Sequence, residues 1–400
     1  MPLPFEFVLF GATLVCVAVF HHHTLKVALL GLLLICGFKL VFGDFHGIPG
    51  AEGLVRHLGH EWVGITNLFA LLVGFALLSR HFELSHLPHL LPRVLPDDWK
   101  GGVALLAIVF VLSGFLDNIA AAIIGATMVA TVYRRRVHIG FLAAVVGASN
   151  AGGAGSVVGD TTTTMMWLHG VAPLDVLPAY AASAAAFLVF AIPAARQQQK
   201  YSPIVRDAPV DVRVDKSRIV IVALILAGAV AANIYANTLE GEGQSFPFIG
   251  ATVIGILLLL TPWRRPDWSV LPEAARGAVF LLALVIAAST MPVDGLPDPS
   301  PQTTLGLGFV SAVFDNIPLT KLALEQGGYD WAALAYAVGF GGSMLWFGSS
   351  AGVAVSNLFV EAKSAGQWLR QGWHVAVGYV VGFLVYLLVI GWRPEGPYLE

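Results

Sequence analysis

Three aspartates stand in stretches of the chain that are otherwise almost free of charge: Asp117 in SGFLDNI, Asp160 in GDTTTT and Asp315 in SAVFDNI. A carboxylate held away from water is costly, so each needs a compensating cation or a proton. The neighbouring polar residues are all oxygen donors. Asn118 and Asn316 offer amide carbonyls, and Ser113, Ser311, Thr161, Thr162, Ser349 and Ser350 offer hydroxyls. Such a set suits a hard cation such as Na⁺ or Li⁺. A carboxylate that holds either a metal ion or a proton, but not both, is the smallest device that can exchange one for the other. The structural alternative is pairing for folding, for example Asp315 with Lys321. Lys321 also precedes Glu325 by one helical turn and can pair with it instead.

The elements that must position these residues are membrane helices. The 400 residues are 57% apolar and 12% charged, with mean hydropathy +0.77. A soluble domain is about half apolar and about a quarter charged. The net charge of −3 argues against nucleic acid as a partner. Cys16 and Cys36 lie in apolar runs and read as small hydrophobes, without disulfide or metal spacing. The first apolar block lacks a basic start, so it is expected to be retained as a helix. Spans are predicted near 5–20, 24–42, 62–79, 138–170, 173–195, 218–236, 247–262, 274–292, 329–362 and 366–392. Two further apolar stretches, 101–133 and 302–326, fit no single span. As one helix the first would be about 50 Å long, against a hydrocarbon core of about 30 Å. A break at Ser113-Gly114 predicts a re-entrant hairpin that enters and leaves on the same side.

With both stretches as hairpins and the N-terminus outside, all 22 Lys and Arg except Lys39, Arg56, Lys321 and Arg393 fall on one side, which is then cytoplasmic. Both termini are expected outside. The polar segment 197–217 becomes a cytoplasmic linker, where Asp207, Asp211 and Asp215 read as solvated. It divides the chain into repeat 1 (1–196) and repeat 2 (218–400). Each repeat has five spans and one hairpin, and the two are related by inversion. The fold class expected is therefore an all-α polytopic membrane protein. SGFLDNI at 113–119 matches SAVFDNI at 311–317. NAGGAGSVVGDTTTT at 150–164 resembles GFGGSMLWFGSSAG at 339–352, each with a Gly-Gly pair and a third Gly (Gly159, Gly348) further on. Helices interrupted at mid-membrane and repeated by inversion mark secondary transporters. Unwound backbone survives at that depth only where it lines a cavity or is buried in protein. The alternative for the glycines is close helix packing. His21, His22 and His23 could sense pH near neutrality, although such a run is also an ordinary interfacial cap; a role for His169 is equally open.

These segments together, SGFLDN and SAVFDN with SNAGGAGSVVGDTTTTMMW and GGSMLWFGSSAGVA, resemble the NhaD-type sodium/proton antiporters of the ion transporter superfamily, in order and across nearly the whole chain. That superfamily also holds citrate, arsenite and divalent-anion transporters. The resemblance implies a homodimer in the inner membrane, surrounded by lipid, in which a mobile transport domain carrying both hairpins moves as an elevator against a fixed scaffold. It implies Na⁺ or Li⁺ and H⁺ as the transported ions, no cofactor and no enzymatic activity. In the symporters a Ser stands at the hairpin tip where this chain has Asp117 or Asp315. One cation site is implied around Ser113, Asp117, Asn118 and the 152–161 loop, with Asn150, Gly153, Ser156, Asp160, Thr161 and Thr162. A second is implied around Ser311, Asp315, Asn316 and the 341–350 loop, with Gly342, Ser343, Ser349 and Ser350. Asp160 has no acidic counterpart in repeat 2, where Ser349 stands, so the two are not expected to be equivalent. Other readings are a Na⁺-coupled citrate-like carboxylate transporter, which would want a basic residue at a hairpin tip, an intramembrane aspartyl protease, and a non-transporting receptor.

Overall fold

The computed structural model describes residues 4–20, 23–45, 47–87, 95–204, 213–239, 246–293 and 296–394, which are mostly helical. In the first half the helices are α1 (Phe5–Val19), α2 (Thr24–Phe42), α3 (Gly50–Leu84), α4 (Trp99–Ser113), α5 (Asn118–Val132), α6 (Ile139–Gly153), α7 (Thr161–Leu168), α8 (Pro173–Val176) and α9 (Ala179–Tyr201). In the second they are α10 (Lys216–Leu239), α11 (Phe248–Leu260), α12 (Leu271–Ser289), α13 (Pro301–Ser311), α14 (Asn316–Gln326), α15 (Trp331–Gly341), α16 (Ser350–Leu358), α17 (Ala365–Gln371) and α18 (Trp373–Val389). A two-residue antiparallel ladder, Asp44–Phe45 against Ile48–Pro49, joins α2 to α3. His21, His22, Asp207 and Asp211 lie outside the described residues.

Two expected spans need correction. The span expected at 62–79 is the 35-residue α3, which begins at Gly50 because its polar first turns still hydrogen-bond as helix. The span expected at 366–392 is two helices, α17 and α18, meeting at 62° around Gly372. Four helical segments among the described residues are long and apolar enough to cross a membrane by themselves, five if that bent pair counts as one. Every half-helix that ends at a mid-chain break is shorter.

Burial orders the helices. Every residue of α6 and of α15 is buried, so these two form the centre. α1, α2 and α11 stand at the periphery with large apolar side chains outward, Leu33 at 69% and Leu259 at 79% exposure. That is the surface hydrocarbon requires and water does not. Some helix packings recur in both halves. α2 packs on α12 as α11 packs on α3, and α9 crosses α18 at the middle. α5 packs on α16 of the other half, and α14 on α7. Other pairings differ between the halves: α12 packs closely on α14 while α3 touches α5 only sparsely, and α4 packs on α5 more extensively than α13 on α14.

Candidate ion-binding site

Four helices start in the interior, and each start is capped by a side chain from the predicted set. Asp117 accepts the Ile119 amide at 3.3 Å, Asp315 the Ile317 amide at 3.1 Å, Asp160 the Thr162 amide at 3.2 Å and Ser349 the Gly352 amide at 3.2 Å. Short oxygen-bearing side chains are the preferred N-caps, because they accept from backbone donors that the helix leaves unpaired. The four preceding helices α4, α6, α13 and α15 end in the same region, so positive and negative helix ends face one another there.

Glycine brings these ends together. A side chain at Gly152 would strike the Phe110 carbonyl of α4, and one at Gly159 the Ser113 carbonyl. In the second half the collisions would be Gly341 with the Gly308 carbonyl of α13, and Gly348 with the Ala312 carbonyl. Gly153 and Gly342 likewise sit against the carbonyls of Gly159 and Gly348. Ser113 donates to the Ser149 carbonyl and Ser311 to the Val338 carbonyl, tying α4 to α6 and α13 to α15. Ser156 donates to the Gly114 carbonyl. These three hydroxyls therefore fix backbone and are not aimed at a carboxylate.

The centre is Asp160, which is 1% exposed. Its Oδ1 accepts from Asn118 at 3.2 Å and from Asn316 at 3.2 Å, one amide from each Asp-Asn pair. Asn316 also donates to Thr162 Oγ1 at 2.9 Å. Asn118 donates to Asn150 Oδ1 at 3.1 Å, and Asn150 donates in turn to Ser343 at 2.9 Å and Ser349 at 3.1 Å. The other oxygen, Asp160 Oδ2, is buried without a hydrogen-bond partner and rests against Gly339. Asp117 and Asp315 stand to either side. Asp315 accepts from Ser350 at 3.0 Å. Asp117 opens with Thr161 and Ser350 onto a cavity of about 550 Å³. The cavity runs between α3 and α12 on one side and α5 and α16 on the other, out to Arg80, Glu83 and Glu273. None of the ion pairs among the described residues involves Asp117, Asp160 or Asp315.

Lys321 takes a different partner from Asp315. Its ammonium lies 2.6 Å from Glu325 and 3.0 Å from Glu61 of α3, within electrostatic reach of His169. Glu61 was missed from sequence because it falls just outside the apolar window. Gly339 was missed because a glycine gives no chemical signal; the only clue is that it holds the place in GFGG that Asn150 holds in NAGG.

A multi-pass bundle with interrupted helices meeting at buried carboxylates, none of them in an ion pair among the described residues, is the architecture of a membrane transporter. The sequence profile of the citrate transporter family (CitMHS) matches residues 12–341, and the chain belongs to that family. It is 27% identical over 389 residues to sodium/proton antiporter 1 of Arabidopsis thaliana, covering 86% of this chain and 65% of that protein. It is 25% identical over 317 residues to sodium/proton antiporter 2 of the same plant, covering 70% and 74%. With the Na⁺/H⁺ antiporter NhaD of Vibrio cholerae the identity is 26% over 336 residues, covering 70% and 68%. The family and these relatives are transporters and not enzymes, and the relatives' names make small ions their substrates.

Proposed function

We propose that this protein exchanges Na⁺ or Li⁺ for H⁺ across the plasma membrane by alternating access, with Asp160 as the shared centre and Asp117 and Asp315 as flanking ligands. The observation that carries this reading is the state of Asp160. It is a buried carboxylate held by one asparagine from each Asp-Asn pair, with one oxygen unpartnered and no ion pair to a cationic side chain among the described residues. Such a group takes a proton or a small cation in turn. Ser113, Asp117, Asn118 and the 152–161 loop remain proposed as one ion site, with Ser311, Asp315, Asn316 and the 341–350 loop as a second. Both asparagines reach Asp160, so the two sites would share a wall.

Inverted repeats 1–196 and 218–400, joined by the linker 197–217, are supported by the matching glycine contacts and corresponding helix pairs. The difference between the α12–α14 and α3–α5 packings supports movement. The cavity lies where α3 stands off α5, while α14 is closed against α12 and bound to α3 through Lys321. Exchanging the two arrangements between the halves would close the first side and open the second. In this reading the helix pairs α4–α5 and α13–α14 are hairpins of the moving domain. α1–α3 and α10–α12 are the scaffold and homodimer surface, the basic side is cytoplasmic, and both termini are outside.

The test is exchange in proteoliposomes containing a pH dye. A Na⁺ or Li⁺ pulse is expected to move protons, and no proton movement with either ion from pH 6 to 9 would end the reading. Transport of a citrate-like anion is the second reading, favoured by the family's description. The site opposes it, since Lys321 is committed to Glu61 and Glu325 and the cavity ends on a carboxylate.

A further inference from the structure

The cavity is much larger than an inorganic ion needs. A Na⁺ with six waters occupies roughly 200 Å³ at about 30 Å³ per water, against about 550 Å³ here. Its walls are also wrong for water. Leu71 and Phe75 of α3, Phe280 of α12 and Ile123 of α5 line its length. The charged groups stand at the two ends, Asp117 with Thr161 and Ser350 at the deep end and Arg80, Glu83 and Glu273 at the mouth; the remaining polar lining residues, Ser79, Thr164, Ser269 and Asn357, are uncharged. The single basic group there is already shared, since Arg80 binds Glu83 at 2.7 Å and Asp267 at 2.8 Å. That leaves an apolar chamber of ligand size with excess negative charge and a carboxylate at its floor.

We infer that this cavity is a binding site for an amphipathic organic monocation, with its cationic head on Asp117 and its apolar body along Leu71, Phe75, Ile123 and Phe280. Charge selects the head, because an anion would meet Asp117 and Glu273. Burial of apolar surface holds the body, and the two phenylalanines offer ring faces to a cation passing the mouth. The head occupies the place of the inorganic ion at Asp117, so the two compete. The inference needs the cavity and Asp117 and does not depend on Na⁺/H⁺ exchange.

The experiment is calorimetric titration of the purified full chain with 4-phenylbutylguanidinium and with its uncharged isostere 4-phenylbutylurea. Gly277 lines the cavity, and a Cβ there meets nothing within 4 Å, so the backbone admits a side chain and Gly277→Phe places a ring in the chamber. The expected result is one saturable site for the guanidinium, at least tenfold tighter than for the urea. It is weakened at least tenfold by Asp117→Asn and by Gly277→Phe, and shifted to weaker binding by Na⁺. Equal binding of guanidinium and urea would overturn the inference, because it reports apolar partition or a bound lipid tail. Unchanged guanidinium binding in the well-folded Gly277→Phe protein would also overturn it. The two readings fail separately: exchange without guanidinium binding removes this site alone, and guanidinium binding without exchange removes the antiport alone.

Discussion

Replacing Lys321 by Met takes away the one ammonium that joins α14 to α3. The Lys321 side chain is 6% exposed, and those of Glu61 and Glu325 are 16% and 18% exposed. The substitution therefore leaves two carboxylates facing each other in a poorly hydrated crevice. Removing one member of a buried ion pair costs roughly 3–5 kcal/mol, mostly from the charge left behind. That cost falls on the arrangement in which α14 sits beside α3. Any arrangement in which α14 has moved off α3 escapes most of it. At about 1.4 kcal/mol per tenfold, the balance between the two arrangements moves by roughly two to three orders of magnitude. The assay is thiol labelling of Gly277→Cys, on the cavity wall, after replacement of the free Cys16 and Cys36. An impermeant reagent is applied from each side in turn. Lys321→Met is expected to cut labelling from the basic side at least tenfold relative to the opposite side. Adding Glu61→Gln and Glu325→Gln is expected to restore the parent ratio, since no uncompensated charge remains. A ratio within twofold of the parent in monodisperse Lys321→Met protein would refute the argument.

Further expectations follow from the site. Asp117→Asn, Asp160→Asn and Asp315→Asn should each abolish cation-driven proton movement in proteoliposomes, while elution profile and helix content stay those of the parent. Gly339→Ala should do the same for another reason: Gly-to-Ala in a helix is worth up to about 1 kcal/mol of added stability, but here the new carbon strikes Asp160 Oδ2. Transport should fall without loss of helix, and parental transport would contradict the packing. At the basic surface, hydrogen bonds from Ser269 and then from Arg80 hold the Asp267 carboxyl down at about 2. A depressed carboxyl contributes stability above its ordinary pKa near 3.8, lost only as pH falls through that value toward 2. Asp267→Asn should therefore leave the shape of the pH–exchange profile from 6 to 9 unchanged, and an altered slope there would show that the Arg80 cluster is not a fixed structural tie.

The polar residues of the centre were legible because membrane helices are apolar by necessity, so Asp117, Asp160 and Asp315 stand out at once. The breaks were legible through Gly152, Gly153, Gly341 and Gly342. What they do was not. Whether Ser113 faces an ion or a carbonyl depends on the helix that packs beside it, and that helix is α6, far along the chain. The meeting of Asn118 and Asn316 on one carboxylate is likewise a contact between halves, invisible to local spacing. Hydropathy also hid the start of α3, where Glu52, Arg56, His57, His60 and Glu61 lie outside the apolar window although the helix runs on through them. Asp215 read as solvated from its polar neighbours, but it accepts from Arg264 at 3.0 Å.

The asymmetry of the centre follows from packing across the two halves. Positions 150 and 339 correspond, as do 160 and 349. In space each pair is exchanged: Asn150 faces Ser349, and Gly339 faces Asp160. The Asn150 amide meets a short hydroxyl, and the Asp160 carboxylate meets a position with no side chain. An acid at 349 therefore requires an empty place at 150. Asp160→Ser with Ser349→Asp alone drives a carboxylate into the fully buried Asn150, and overpacking of that kind costs roughly 1–3 kcal/mol before any charge is counted. Adding Asn150→Gly and Gly339→Asn restores the room for the acid and the Asn–Ser contact in mirror order, without the second serine that Ser343 gives Asn150, since Ala154 stands at the corresponding place. The four-fold variant is expected to regain cation-driven proton movement that the two-fold variant lacks. Parental exchange in the two-fold variant, or a folded four-fold variant with none, would show that something other than the room at positions 150 and 339 decides where the acid stands.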